Sequence, residues 1–300
     1  MNRRDFLKST LIVGSALAVP GAAGILGRAL EAAEKTDLAV VSGPSPAAIT
    51  KAAISSLGGI KSFIARGDVV VVKPNIGWDR LPAYAATTNP EVVATVVALC
   101  NEAGAKQVKI FDHAVVDPRR CYKQSGIAAA AAAAGGIVSF VDERKFRDFK
   151  LPGVVLKSWP LYTEALEADK FINIPIAKTH GLSTLTLGMK NLMGIMGGSR
   201  GRIHQRLDGS LVDVAMTLKP TLVIIDAVRI LTANGPQGGD LADVKELNTV
   251  VAGMDQVAVD AYAATLFGMK GADVASVVAG HKAGLGTMEL NKLKIKKASL

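Results

Sequence analysis

Short unbroken apolar runs recur along this 300-residue chain, V-V-V-V at 69–72 and L-V-I-I at 222–225 among them, and segments with helical periodicity lie between them. A strand with no polar alternate has no face to show to water, so it belongs in a sheet covered on both sides. Strands are predicted at 38–42, 68–72, 107–111, 137–141, 170–175, 221–225 and near 249–252. Helices are predicted at 47–57, 90–103, 121–134, 211–217 and 257–266, with a short one from 161 to 165. Asn89-Pro90 marks a helix start, and Gly135-Gly136 stops the alanine run 128–134. The tail Lys292, Lys294, Lys296 and Lys297, alternating with Leu293 and Ile295, reads as an edge strand with one solvated face. The expected fold is therefore α/β: a mainly parallel, mixed sheet flanked by helices on both faces, with a ligand cleft at the carboxyl ends of the strands. The glycine-rich stretches 194–201 and 235–239 read as loops inside the unit, so 36–300 is expected to be a single domain.

Ligands in open α/β sheets sit beyond the carboxyl ends of the strands, so the residues that follow each apolar run carry the functional argument. Lys73-Pro74-Asn75, Asp112-His113, Lys178-Thr179-His180 and Asp226 each follow such a run. Any one of them could simply be a strand end meeting water, but together they describe a cleft. The segment 176–204 is the richest, with Lys178, His180, Lys190, Asn191, Arg200, Arg202 and His204 around a glycine-rich stretch. Backbone N–H groups at Gly197 and Gly198 could form an anion-binding nest, flanked by the guanidiniums of Arg200 and Arg202; a solvated surface loop is the bland alternative. Lys73, Asn75 and Asn191 are expected to join them in holding a substrate. Lys178, His180, Asp112 and Lys190 are the candidates for proton transfer or nucleophilic attack.

The glycine pattern lacks the Lys-Ser or Lys-Thr of a Walker phosphate loop, and no serine sits in a G-x-S-x-G elbow. Histidine and aspartate usage allows a metal, for which His180, His204 and Asp226 are the candidate ligands; His113, Asp112 and Asp213 are further donors suited to zinc, nickel or iron. Spacing alone supplies no metal motif such as H-E-x-x-H. Met189, Met193 and Met196 recur at helical spacing and read as core, and His281 as an exposed helix-end residue. Asp255 reads as a helix N-cap, while Asp260 faces either the cleft or a buried partner.

The formal charge of +9 falls to +7 once the four cations and two acids of residues 1–33 are removed. Aromatics are only 5% of the chain and basic residues are not interleaved with them, which argues against a nucleic-acid partner and for a small anionic ligand. Cys100 and Cys121 are the only cysteines, too few for a four-thiolate iron–sulfur cluster or a disulfide framework. Residues 1–33 carry Arg3-Arg4 with Phe6, Leu7 and Lys8, then the uncharged run Ser9–Gly27 diluted by Gly14, Pro20, Gly21 and Gly24. This resembles a twin-arginine export signal. The resemblance implies passage through the twin-arginine translocase, a periplasmic location and folding before export, which suits a protein that receives a cofactor; left uncleaved, the segment would associate the protein with the membrane.

The segments V-V-V-K-P-N at 70–75, T-N-P-E-V-V at 88–93, I-N-I-P-I-A-K-T-H at 172–180, L-G-M-K-N-L-M-G at 187–194 and M-D-Q-V-A-V-D-A at 254–261 are similar to those of the domain of unknown function 362 family, over about residues 36–285. Other members resembling this chain carry an appended ferredoxin-like segment for two iron–sulfur clusters, and this chain lacks those cysteines. The expectation is an exported enzyme of unassigned reaction acting on a small anionic substrate, with a metal or redox cofactor allowed. The alternative is a periplasmic anion- or cofactor-binding or maturation protein without catalysis.

Overall fold

The computed structural model describes residues 36–153 and 155–300, so the expected export signal lies outside the described residues. The chain enters as β1 (Leu38–Ser42) and α1 (Pro46–Ser56), continues through β2 (Val69–Pro74) and α2 (Pro90–Glu102), and returns as β3 (Gln107–Ile110). Two short helices, α3 (Pro118–Gln124) and α4 (Ile127–Ala133), lead to β4 (Ile137–Val138). A separate antiparallel pair follows, β5 (Phe146–Lys150) with β6 (Ser158–Tyr162), and then the single turn α5 (Thr163–Leu166). Next come β7 (Lys170–Ile174), β8 (Ile176–His180), β9 (Thr184–Thr186), the one-turn α6 (Gly188–Asn191) and α7 (Leu207–Thr217). The long strands β10 (Leu222–Leu231) and β11 (Val244–Gly253) precede α8 (Gln256–Thr265), α9 (Ala275–Lys282) and β12 (Ile295–Ser299).

The main sheet runs β12-β1-β11-β10-β7-β2-β3-β4, with β8 paired to β10 and β9 attached to β8. Along that eight-strand path only β11 runs against the rest, because it is antiparallel to both of its neighbours while every other pairing is parallel. The sheet is thus mixed and mostly parallel, as the apolar runs predict. Successive side chains of a strand point to opposite faces. Val70 and Val72 enter one core with Ile49 of α1, Val92 of α2 and Ile127 of α4; Val71 enters the other with Leu211 of α7 and Val257 of α8. The same split sends Leu222 and Ile224 one way and Val223 and Ile225 the other. Full burial of each such side chain contributes about 1.5–3 kcal/mol, and that is what holds helices on both faces. Met189, Met193 and Met196 lie in the second of these cores, as their spacing predicts. Among the described residues no helix is long and apolar enough to cross a membrane.

The structure corrects several local expectations. The helix predicted over 121–134 is two helices: Gly126 takes φ +70°, a left-handed conformation that ends one helix before the next begins, and α3 starts earlier, at Pro118 behind an Asp117 cap. Leu161 and Tyr162 belong to β6, paired with β5, and the helix begins only at Thr163. The strand predicted over 137–141 shortens to two residues at the sheet edge. The strand predicted at 221–225 extends to Leu231, because β11 and β8 supply ladder partners that the apolar run alone does not reveal.

Candidate functional site

Pro175 separates β7 from β8, yet both pair with β10, so the chain continues past the end of β7 and carries Lys178 and His180 beyond the ladder that holds Asn173. Lys73 ends β2 and Asp112 follows β3, the neighbouring parallel strand. These groups meet. The fully buried Lys73 ammonium forms an ion pair with Asp112 Oδ1 at 2.7 Å and donates to the Pro74 carbonyl (2.7 Å) and Asn191 Oδ1 (3.1 Å). Asp112 Oδ2 accepts the Ile76 N–H at 2.6 Å. Burial holds the Lys73 pKa below its ordinary value, and Asp112 opposes that shift.

A chain of amides ties α6 to the strand ends. Asn191 Nδ2 donates to Asn173 Oδ1 at 2.8 Å, Asn173 Nδ2 donates to the Gly188 carbonyl at 2.8 Å, and Asn75 Nδ2 donates to Asn191 Oδ1 at 3.0 Å. On the far side of α6, Asp260 accepts the N–H groups of Gly188 and Met189 at 2.6 and 2.9 Å. Asp260 therefore has a buried backbone partner and does not face the cleft. Gly194, in the turn after α6, has no room for a side chain: a Cβ there would lie 1.8 Å from Asp112 Oδ1 and 2.5 Å from Lys73 Cε.

These elements surround a cavity of about 730 Å³. Lys178, Lys190, Arg200, His180 and His204 line it together with Asn75, Asn191 and Asp112, while Trp78, Val115, Leu182 and Met193 give it apolar surface. Lys178 is 1% exposed and donates to the Ala86 carbonyl at 2.5 Å and to Asn75 Oδ1 at 3.4 Å. Burial lowers its pKa to about 7, with the Lys190 charge acting in the same direction. The Lys190 ammonium has neither a hydrogen bond nor an ion pair among the described residues; burial, with the charges of Arg200 and Lys73, lowers its pKa to about 8. Arg200 donates to the carbonyls of His113, Ala114 and Met193 at 2.9–3.3 Å and so ties its loop to the segment leaving β3.

Two of the cavity histidines, His180 and His204, make different backbone contacts through Nδ1. His180 Nδ1 accepts the Leu182 N–H at 3.1 Å, so its proton is on Nε2. His204 Nδ1 lies 3.0 Å from the Gly201 carbonyl, a contact made by a proton on Nδ1. Their rings stack with centroids 6.3 Å apart. Burial and then the charges of Lys190 and Lys178 lower the His180 pKa to about 3, so it stays neutral across the physiological range. His113, which also lines the cavity, bonds through Nδ1 to the Met196 carbonyl at 2.8 Å and faces Glu143 through Nε2 at 3.2 Å.

Lys73, Asn75, Asp112, Lys178, His180, Lys190, Asn191, Arg200 and His204 thus come together. Other predicted groups do not. The metal set His180, His204 and Asp226 does not assemble: Asp226 lies inside β10, fully buried, and its oxygens accept the N–H groups of Asn89 at 2.6 Å and Val228 at 3.0 Å. Asp213 binds the N–H groups of Val155 and Leu156, both at 2.7 Å. Among the described residues no three His, Cys, Asp or Glu side chains gather to hold a metal. The glycine nest is also corrected. The Gly197 N–H donates to the Pro160 carbonyl at 2.8 Å and its own carbonyl accepts Trp159 Nε1, so of these two glycines Gly198, at φ +63°, is the one that lines the cavity. Arg202 is exposed and lies outside the lining. Sequence reasoning passed over Asn173 and Trp78; an amide inside the otherwise apolar run of β7 was the available signal for the first.

Residues 70–265, more than half of the chain, match the family model described as "Domain of unknown function (DUF362)". A thylakoid-associated protein of Synechocystis sp. is 30% identical over 241 residues, which cover 77% of this chain and 73% of that relative. Among solved structures, the lactate racemase apoprotein of Thermoanaerobacterium thermosaccharolyticum superposes with a TM-score of 0.46 at 12% identity, over 74% of this chain and 55% of that one. This chain spans little more than half the length of that structure. With the family model covering the fold from β2 to α8, the chain belongs to the DUF362 family.

Proposed function

We propose that this protein is an enzyme that holds a small anionic substrate in the strand-end cavity and transfers protons to and from it. The supporting observation is Lys190: a lysine lining a cavity, largely withdrawn from water and without a protein partner, has its charge uncompensated until an anion arrives. Arg200 and Lys178 add positive potential, and the one buried carboxylate nearby, Asp112, is already paired with Lys73. His180 Nε2–H can hydrogen-bond a substrate oxygen, and the His204 imidazole, on the same cavity wall, is the candidate for proton transfer. The apolar surface of Trp78, Val115 and Leu182 suits a short carbon skeleton attached to the anionic group.

We read the protein as exported to the periplasm by the twin-arginine route, on the strength of Arg3-Arg4 and the uncharged run that follows. The test of the binding reading is a Trp78 fluorescence titration with phosphate, acetate, succinate and lactate in the wild type and in Lys190→Met. A charge-assisted hydrogen bond contributes about 1.5–3 kcal/mol, so the substitution is expected to weaken binding at least tenfold. Equal affinity in the two proteins overturns it. Saturable binding with no chemical change in any ligand would favour a carrier over an enzyme.

A further inference from the structure

Resting on that reading, we propose that Lys178 is a nucleophile that forms an imine with the carbonyl carbon of an anionic oxo compound, a short 2-oxo acid, whose carboxylate is held by Lys190. Geometry separates Lys178 from the other buried lysine. Lys73 has a carboxylate at 2.7 Å and is a structural cation. Lys178, equally buried, meets only neutral oxygens, those of Ala86 and Asn75. A neutral amine has two N–H bonds and one lone pair; two acceptors use both N–H bonds and leave the lone pair free. Because Lys178 also lines the cavity, that lone pair is available to a bound carbonyl. A pKa lowered to about 7 means that a large part of the amine is unprotonated at neutral pH, and desolvation beside a second cation is a known way to activate a lysine.

The reaction balances without an oxidant or reductant. Nζ attacks the carbonyl carbon and a C–N bond forms. The carbonyl oxygen then leaves as water with the two protons that the amine carried, and the product is a C=N bond. His180 Nε2–H, on the wall of the same cavity, is a hydrogen-bond donor to the departing oxygen.

The experiment is reductive trapping. The full chain is incubated with glyoxylate, pyruvate or 2-oxoglutarate, reduced with sodium borohydride, and digested for peptide mass spectrometry. A secondary amine on Lys178 is expected, at least tenfold above that on the exposed Lys296, and trapping should rise with pH through about 7 where surface lysines require far higher pH. Lys178→Arg, checked for an unchanged melting profile, should lose the adduct. Lys190→Met should keep Lys178 reactive but require at least tenfold more oxo acid, and succinate should compete. Labelling spread evenly over surface lysines overturns the proposal. If the oxo acids shift Trp78 fluorescence but no adduct forms on Lys178, the imine is wrong while the anion site stands; if no anion binds, both fall.

Discussion

Lys73 and Asp112, 39 positions apart in the sequence, form a 2.7 Å ion pair that is almost wholly withdrawn from water and is backed by the Cα of Gly194. The pair joins the ends of two parallel strands and, through Asn191, the turn of α6. Its worth lies in completeness, since a buried charge without its partner costs several kcal/mol. Asp112→Ala is therefore expected to destabilise the fold by about 3–5 kcal/mol. Lys73→Met combined with Asp112→Ala should recover part of that loss. Urea unfolding of the single and double variants measures both, and additive losses would count against the pairing.

Gly194→Ala tests the same junction sterically. A methyl group there collides with both members of the pair, so the loop after α6 must shift and the Lys73–Asp112 contact must open. A stability loss above 2 kcal/mol is expected, on the scale of overpacking a tight core. Gly201→Ala, where nothing lies within 4 Å of the added carbon, should change stability by less than about 0.5 kcal/mol.

Anion affinity should depend on pH with a defined sign. Lys178 and Lys190 lose their charge as pH rises through about 7 and about 8, while Arg200 stays charged and His180 stays neutral throughout. Binding of acetate or succinate is expected to weaken between pH 6 and 9, followed by Trp78 fluorescence. In Lys190→Met the upper part of that fall should disappear.

Stability should move with pH for a different reason. Burial raises the pKa of Asp226 and Asp260 to about 7, against about 3.9 in an unfolded chain. Between those values the folded state holds more protons on these two groups, so their contribution to stability is full below pH 4 and is lost as pH rises through 7. Each group contributes on the order of a few kcal/mol to that slope. From pH 5 to 7 the unfolding midpoint of Asp260→Asn should fall less, or rise more, than that of the wild type; identical pH dependence in the two would show that Asp260 does not titrate in this range.

How much of this was legible in the chain differs from residue to residue. Lys73 and Lys178 stand after apolar runs, and a strand-end rule is enough to select them, while Asn191 stands out in the polar segment 176–204. Asp226 follows an equally apolar run and was selected by the same rule. Its strand continues for five more residues, however, and its carboxylate caps the start of α2 from within the sheet. Gly197 looked like an anion nest because glycines cluster there, yet β6 takes up its N–H. Strand length and hydrogen-bond partners depend on the neighbouring strand, which a single run of residues does not contain.

Local pattern therefore determined the layers of this protein. An unbroken valine or isoleucine run demands cover on both faces whatever its partners are, and side-chain periodicity is a property of a few adjacent residues. The chemical character of the cleft was decided only in three dimensions. Lys178 meets the carbonyl of Ala86, 92 positions away, and Lys73 meets the carboxylate of Asp112, 39 positions away. Whether a buried lysine is a paired cation or a free amine depends on which oxygen lies within 3 Å of it, and for both lysines tertiary packing supplied that oxygen.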